Sequence, residues 1–312
     1  MQKLILRNLQ SPGDTVMLTA LVRDLHALHP RRFVTDVRTP SPELWENNPY
    51  VTRIDESDAE ARVIDCEYPL IHSSNTCGQH FVHGFHEHAS RQLQVPLAPT
   101  RLHGDIHMSA AEMAERPPCL DAIDGEPFWL LVAGGKFDFT AKWWPTTYYQ
   151  AVVDGLADRV TFVQVGSLDH FHPRIRNAVD LRGRLSLREL IRIVYWSAGV
   201  LCPVTLHMHL AAAVPVRIAM RDALRPCVVV AGGREPPSWE MYPGHQFLHT
   251  IGALDCCAYG GRWRSRTFAL RDGSEQDKSL CRQPVGEWAR CMTMITPEHV
   301  TGAIQLYASA RG

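Results

Sequence analysis

The chain has 312 residues, of which 45% are hydrophobic and 21% charged, and its formal net charge is −1. That balance describes a globular protein with a sizeable core; it excludes a disordered chain and argues against nucleic acid as a partner. At this length two domains are expected, with a cleft between them.

The apolar run ahead of Arg7 is too short for a signal peptide or a membrane span, and no segment reaches about 18 apolar residues, so a cytoplasmic location is expected. Peripheral attachment to the inner membrane through a surface patch stays open. Nine cysteines without regular spacing argue for thiols or a metal site over a disulfide framework.

In chain order, Lys3 to Arg7 reads as a buried strand, "TVMLTALVRDLHAL" as an amphipathic helix and "RRFVTDVRT" as a second strand, a βαβ opening. Residues 49–72 offer two more short strands. "FVHGFHEHASRQL" places Phe81, Phe85, Ala89 and Leu93 four apart, a helical stripe. On that helix His80, His83, His86 and His88 wind around the polar side and are expected on a solvated or acceptor-lining face. Ser109 with Glu112 forms a capping box. Residues 116–127, with three prolines and a glycine, are the expected linker.

"FWLLVAGG" then reads as a fully buried parallel strand, and "TFVQVGS" repeats the form about thirty residues later. A helix capped by Ser186 with Glu189, a strand, a short helix and another strand follow. Thr296 and Pro297 open a closing helix. The fold class is therefore α/β, with two Rossmann-like doubly wound domains: residues 1–118 and residues 119–312, the latter carrying a cysteine-containing segment at 255–292. Ligands of such sheets bind beyond the carboxyl ends of the strands.

Ser11, Pro12, Gly13 and Asp14 occupy such an end, between the first strand and its helix. Asp14 in this loop is either a helix cap or a carboxylate presented to the cleft as a general base. After the strand of "VAGGKFDFTAKWWP", Lys142 is either a solvated lysine or a point charge for a diphosphate, with Gly134, Gly135 and Lys136 beside it. Gly232, Gly233 and Arg234 follow another buried strand, where Arg234 offers a fork to phosphate oxygens or lies in a surface turn. Cys256, Cys257, Cys281 and Cys291 are candidate ligands for a structural iron or zinc, or free thiols.

"LILRNLQSPGDTVMLTALVRDLHALHP" resembles the opening of glycosyltransferase family 9, the ADP-heptose heptosyltransferases, in which a Gly-Asp pair precedes an apolar helix. "VAGGKFDFTAKWWP" resembles the family's entry into its second domain. "LRGRLSLRELIRIVYWSAGVLCPVTLHMHLAAAVPVR" is similar to its block ending in His-Leu-Ala-Ala-Ala, although Val204, Thr205 and Leu206 stand where the family writes Asp-Ser/Thr-Gly. The cysteine-rich tail looks like the subgroup that glycosylates autotransporter proteins and carries a cysteine-bound iron.

The resemblance implies a GT-B architecture with the acceptor on the N-terminal domain and an ADP-linked heptose on the C-terminal one. It implies that Asp14 is the catalytic base of an inverting displacement and Lys142 the cation for the departing diphosphate. Leu185, Ser186, Thr205 and His209 fall on the donor side, and no catalytic metal is required. The acceptor, whether glycolipid, protein or small molecule, is left open, and a homo-oligomer is compatible. The rival expectations are a non-catalytic sugar-nucleotide binder or assembly component, and a GT-B-like sugar-nucleotide epimerase.

Overall fold

A computed structural model describes residues 1–66, 76–123, 127–217, 224–257, 264–271, 273 and 277–309. The first half is built on β1 (Gln2–Arg7), α1 (Pro12–Leu28), β2 (Phe33–Arg38), β3 (Ala61–Asp65), α2 (Val82–Leu93) and the short α3 (Ala110–Ala114). Its strands form a parallel sheet in the order β2-β1-β3, with β1 at the centre. Leu4, Ile5 and Leu6 are buried in succession, as a parallel strand covered on both faces requires. Of the two strands expected in residues 49–72, β3 forms and Val51 makes a single bridge to Thr35, while residues 67–72 lie outside the described residues.

The second half contains β4 (Phe128–Leu131), α4 (Thr146–Gly155), β5 (Thr161–Gln164), β6 (Val179–Asp180), α5 (Leu187–Trp196), β7 (Gly199–Pro203), α6 (Leu206–Ala213), β8 (Cys227–Gly232), α7 (Pro237–Glu240) and β9 (His245–His249). Their sheet is wholly parallel, in the order β6-β5-β4-β7-β8-β9. Counted from β4, this is the doubly wound order whose winding reverses between the first and fourth strands. The crevice at that reversal opens beyond β4 and β7, at Val132–Lys136 and Val204–Leu206. A small antiparallel pair, β10 (Pro284–Val285) and β11 (Trp288–Ala289), precedes α8 (Arg290–Thr293) and α9 (Pro297–Ser309). Among the described residues no helix is long and apolar enough to cross a membrane.

The capping boxes expected at Ser109 and Ser186 both form, each serine accepting from the amide three residues on and each glutamate returning to the cap. The expected linker is less independent than its composition suggests. Pro118–Leu120 is a 3-10 turn whose Leu120 is fully buried, and residues 124–126 lie outside the described residues. A single apolar cluster runs through both halves, from Leu4 and Val16 to Leu130, Val200 and Phe247.

The halves are also joined by polar contacts. The Phe81 amide donates to Trp239 O at 3.0 Å, and the Ile106 amide to Ala213 O at 3.2 Å. Arg188 of α5 forks onto Glu112 of α3, Nε to Oε1 at 2.6 Å and Nη2 to Oε2 at 2.7 Å, and its Nη2 also reaches His107 O at 2.9 Å. The Arg188 hydrogen bond, more than any other contact, pulls the Glu112 pKa down from 4.5 to about 2. A depressed carboxylate stabilises the fold above its unfolded pKa, so this contribution is complete above pH 4.5 and disappears as the pH falls toward 2. Arg188→Ala is expected to cost roughly 3 kcal/mol at pH 7. In urea unfolding series, the gap between wild type and variant should close as the pH drops through that window.

The histidines of α2 correct one expectation. His86 is fully buried and His80 nearly so, whereas His83 and His88 are only partly covered. His86 Nε2 meets the buried Asp24 carboxylate of α1 at 2.9 Å, which also accepts from Arg23 Nε at 2.9 Å and Thr100 Oγ1 at 2.5 Å. These partners hold the Asp24 carboxyl well below its usual range against the opposing effect of burial. A charged network inside the first half has taken a helix face that reads as polar.

Candidate active site

The loop after β1 is tied down before it reaches the cleft. Asn8 donates to Cys66 O at 3.0 Å and accepts from Thr15 Oγ1 at 3.1 Å, fixing Leu9 to Ser11 between strand and helix. Ser11 is the N-cap of α1 with no side-chain cap bond of its own, and Pro12 takes the first helical position. Asp14 therefore stands in the first turn, where the helix dipole favours a carboxylate. Gly13 lets α6 approach: a Cβ there would lie 3.0 Å from His209 Cδ2.

A cavity of about 580 Å³ opens at this point, lined by Ser11 to Asp14 from the first half and by the ends of β4, β5 and β7 from the second. Lys136 reaches across its mouth to donate to Ser11 Oγ at 3.3 Å. Val132, Val165, Leu181, Leu185, Leu187 and Leu190 give one end apolar walls, with Ser186 beside them.

Gly134 and Gly135 act by shape. Gly134 has φ +106°, and a Cβ there would sit 1.9 Å from Phe171 O. Gly135 exchanges backbone hydrogen bonds with Phe171, its amide donating at 2.8 Å, so the glycine pair clamps the 165–173 loop against the cavity. His172 of that loop lies 2.9 Å from Ala133 O through Nδ1, and burial lowers its pKa.

Lys142 ends a 3-10 turn over residues 137–142. Its Nζ lies 2.8 Å from Glu235 Oε1 and donates to Val204 O at 3.3 Å, beneath the Phe139 ring. Burial first, then Arg234, pulls its pKa down to about 7, while Glu240 and Asp14 act to raise it. Glu235 is fully buried and is shared between Lys142 and Arg234. Trp143 stacks on Phe171 at 4.2 Å, and Trp144 is core, donating to Ile295 O at 2.8 Å.

Thr205 caps α6, accepting from the His207 amide at 3.3 Å. His207 is pushed down to about 3, chiefly by burial, and stays neutral. His209 lines the cavity edge, with Nδ1 2.5 Å from Tyr242 Oη, which donates in turn to Met17 Sδ at 2.9 Å.

Asp14, Lys142, Gly134, Gly135, Lys136, Leu185, Ser186, Thr205 and His209 thus meet around one cavity. Gly232, Gly233 and Arg234 stand behind it. Gly232 has φ +63° and faces Met292, Gly233 faces Cys257 and Cys291, and Arg234 donates to Arg264 O at 2.9 Å. Glu235 and Glu240 were not legible as site residues: both follow in "GGREPPSWE", where no spacing rule marks them.

The four cysteines read as metal ligands or free thiols lie close together. Cys257 and Cys291 both abut Gly233, and burial and then the other thiols push Cys291 up to about 11, so the four are neighbours. Yet among the described residues no group of three or more His, Cys, Asp or Glu is placed to hold a metal ion.

No protein-family model matches the chain, and no curated protein sequence does either. Solved structures do. The ADP-heptose LPS heptosyltransferase II of E. coli is similar at 16% identity and a TM-score of 0.60, over 99% of both chains. A glycosyl transferase family 9 protein of Veillonella parvula DSM 2008 matches at 12% identity and 0.66, over 99% of this chain and 97% of its own. TibC, an iron-containing dodecameric glycosyltransferase of enterotoxigenic E. coli H10407, matches at 16% and 0.65, over 100% of this chain and 77% of its own. Two parallel, doubly wound sheets meeting at one cavity are therefore the GT-B fold that this chain shares with solved heptosyltransferases.

Proposed function

We propose that the chain is an inverting glycosyltransferase that moves a heptose from an ADP-activated donor to an acceptor hydroxyl. What supports this most is that Asp14 of the first half and Lys142 of the second line the same cavity, at the crevice where a doubly wound sheet receives a nucleotide. Among the similar structures, TibC has been solved with ADP-D-beta-D-heptose, and the E. coli heptosyltransferase WaaC with ADP and with ADP-2-deoxy-2-fluoro heptose.

In this reading the nucleoside occupies the apolar end near Leu185 and Ser186, and the diphosphate faces Lys142 and the start of α6. Asp14 takes the proton of the acceptor hydroxyl as its oxygen attacks the anomeric carbon. The bond from that carbon to the β-phosphate oxygen breaks, and Lys142 offsets the charge that collects on ADP. One displacement inverts the anomeric centre, and the charges required are supplied without a catalytic metal.

Incubation of the protein with ADP-heptose and a panel of hydroxyl acceptors tests the reading. Expected are stoichiometric ADP release and a product whose proton NMR shows the opposite anomeric configuration. Retention of configuration, or donor binding without turnover across the panel, would contradict it.

A further inference from the structure

The cavity wall contains a buried carboxyl group that the scheme above leaves unused. Glu240 closes α7 at 5% exposure and lines the cavity, yet its Oε2 has no hydrogen-bond partner among the described residues. A buried, unpaired carboxyl oxygen costs stability and calls for a ligand or a charge to meet it. Lys142, which lines the same cavity, is engaged elsewhere: its Nζ lies against Glu235 at 2.8 Å. The β7–α6 turn, Val204-Thr205-Leu206, brings no acid to this wall.

We propose that Glu240 is a specificity-determining residue that hydrogen-bonds the hydroxyl groups of the donor sugar. This rests on the donor reading given above. Its position carries the assignment: Glu240 lines the same cavity as Lys142 and Asp14, so it faces the group bound between them. In the displacement that group is the sugar ring, with the diphosphate toward Lys142 and the acceptor toward Asp14. Burial raises the Glu240 pKa more than any neighbouring charge does, which favours a carboxyl able to donate as well as accept. A polyhydroxylated ring presents both functions, and a site built around a hydroxyl rejects analogues that lack it.

Calorimetric titration of ADP and of ADP-heptose into wild type, Glu240→Ala and Glu240→Gln separates this role from a structural one. In Glu240→Ala the ADP affinity should stay within about twofold, while the ratio of ADP-heptose to ADP affinity falls at least about tenfold. Glu240→Gln, which still accepts and donates, should recover most of that ratio. An unchanged ratio in Glu240→Ala overturns the assignment. So does a parallel loss of both affinities, or failure of Glu240→Gln to recover the ratio. Wild-type protein that binds neither ligand overturns the donor reading itself, and the assignment with it.

Discussion

Asp14→Asn is expected to lower the transfer rate by about 10²–10⁴-fold while leaving ADP-heptose affinity within about twofold. The side chain keeps its size and loses the basic oxygen, so the loss falls on proton removal from the acceptor. The competing role, stabilising the first turn of α1, predicts something different. A carboxylate near a helix N-terminus contributes roughly 0.3–1 kcal/mol, a shift of a few degrees in melting temperature. Pro12 already sets the first φ of the helix, so the expected effect of Asp14 on the fold is limited to that contribution. Steady-state kinetics beside a thermal melt decide between the roles: a large rate loss with a small melting shift identifies the base.

Lys142→Met is expected to reduce transfer by about 10²–10³-fold, and here donor affinity should fall as well. Unlike Asp14, Lys142 faces charge that exists in the ground state, because the diphosphate is anionic before the bond breaks. Its removal leaves Glu235 buried but still paired with Arg234, so the protein should fold, and a melt checks that. The lowered pKa adds a pH signature. Wild-type affinity for ADP should weaken as the pH rises through about 7, where the ammonium group is lost, and Lys142→Met should lack that dependence. Titrations at pH 6 and pH 8 suffice; equal dependence in both proteins would remove Lys142 from the diphosphate.

The frame of the molecule was legible because its signals are local. Apolar runs mark β1, β4, β5 and β8, Ser109 with Glu112 and Ser186 with Glu189 mark two helix starts, and Thr296-Pro297 marks a third. What resisted reading depends on partners distant in the chain. His86 reads as polar surface until Asp24, 62 positions away, is seen to hold it in the core. Arg188 carries no local signal of its pairing with Glu112, 76 positions away. Around the cavity, the Gly-Asp loop and the lysine after β4 carried recognisable neighbours, whereas Glu240 gains its position only when α7 brings it to the cavity wall.

The central claim is that Asp14 and Lys142 act on opposite ends of one breaking bond. Azide tests it most directly, since this anion attacks an anomeric carbon without surrendering a proton. It forms a carbon–nitrogen bond as the bond to the β-phosphate oxygen breaks and ADP departs. With ADP-heptose and azide, Asp14→Ala should produce heptosyl azide of inverted configuration, whereas Lys142→Met, whose leaving group is still uncompensated, should gain nothing. Equal recovery of both variants, or recovery of Lys142→Met alone, would contradict the account.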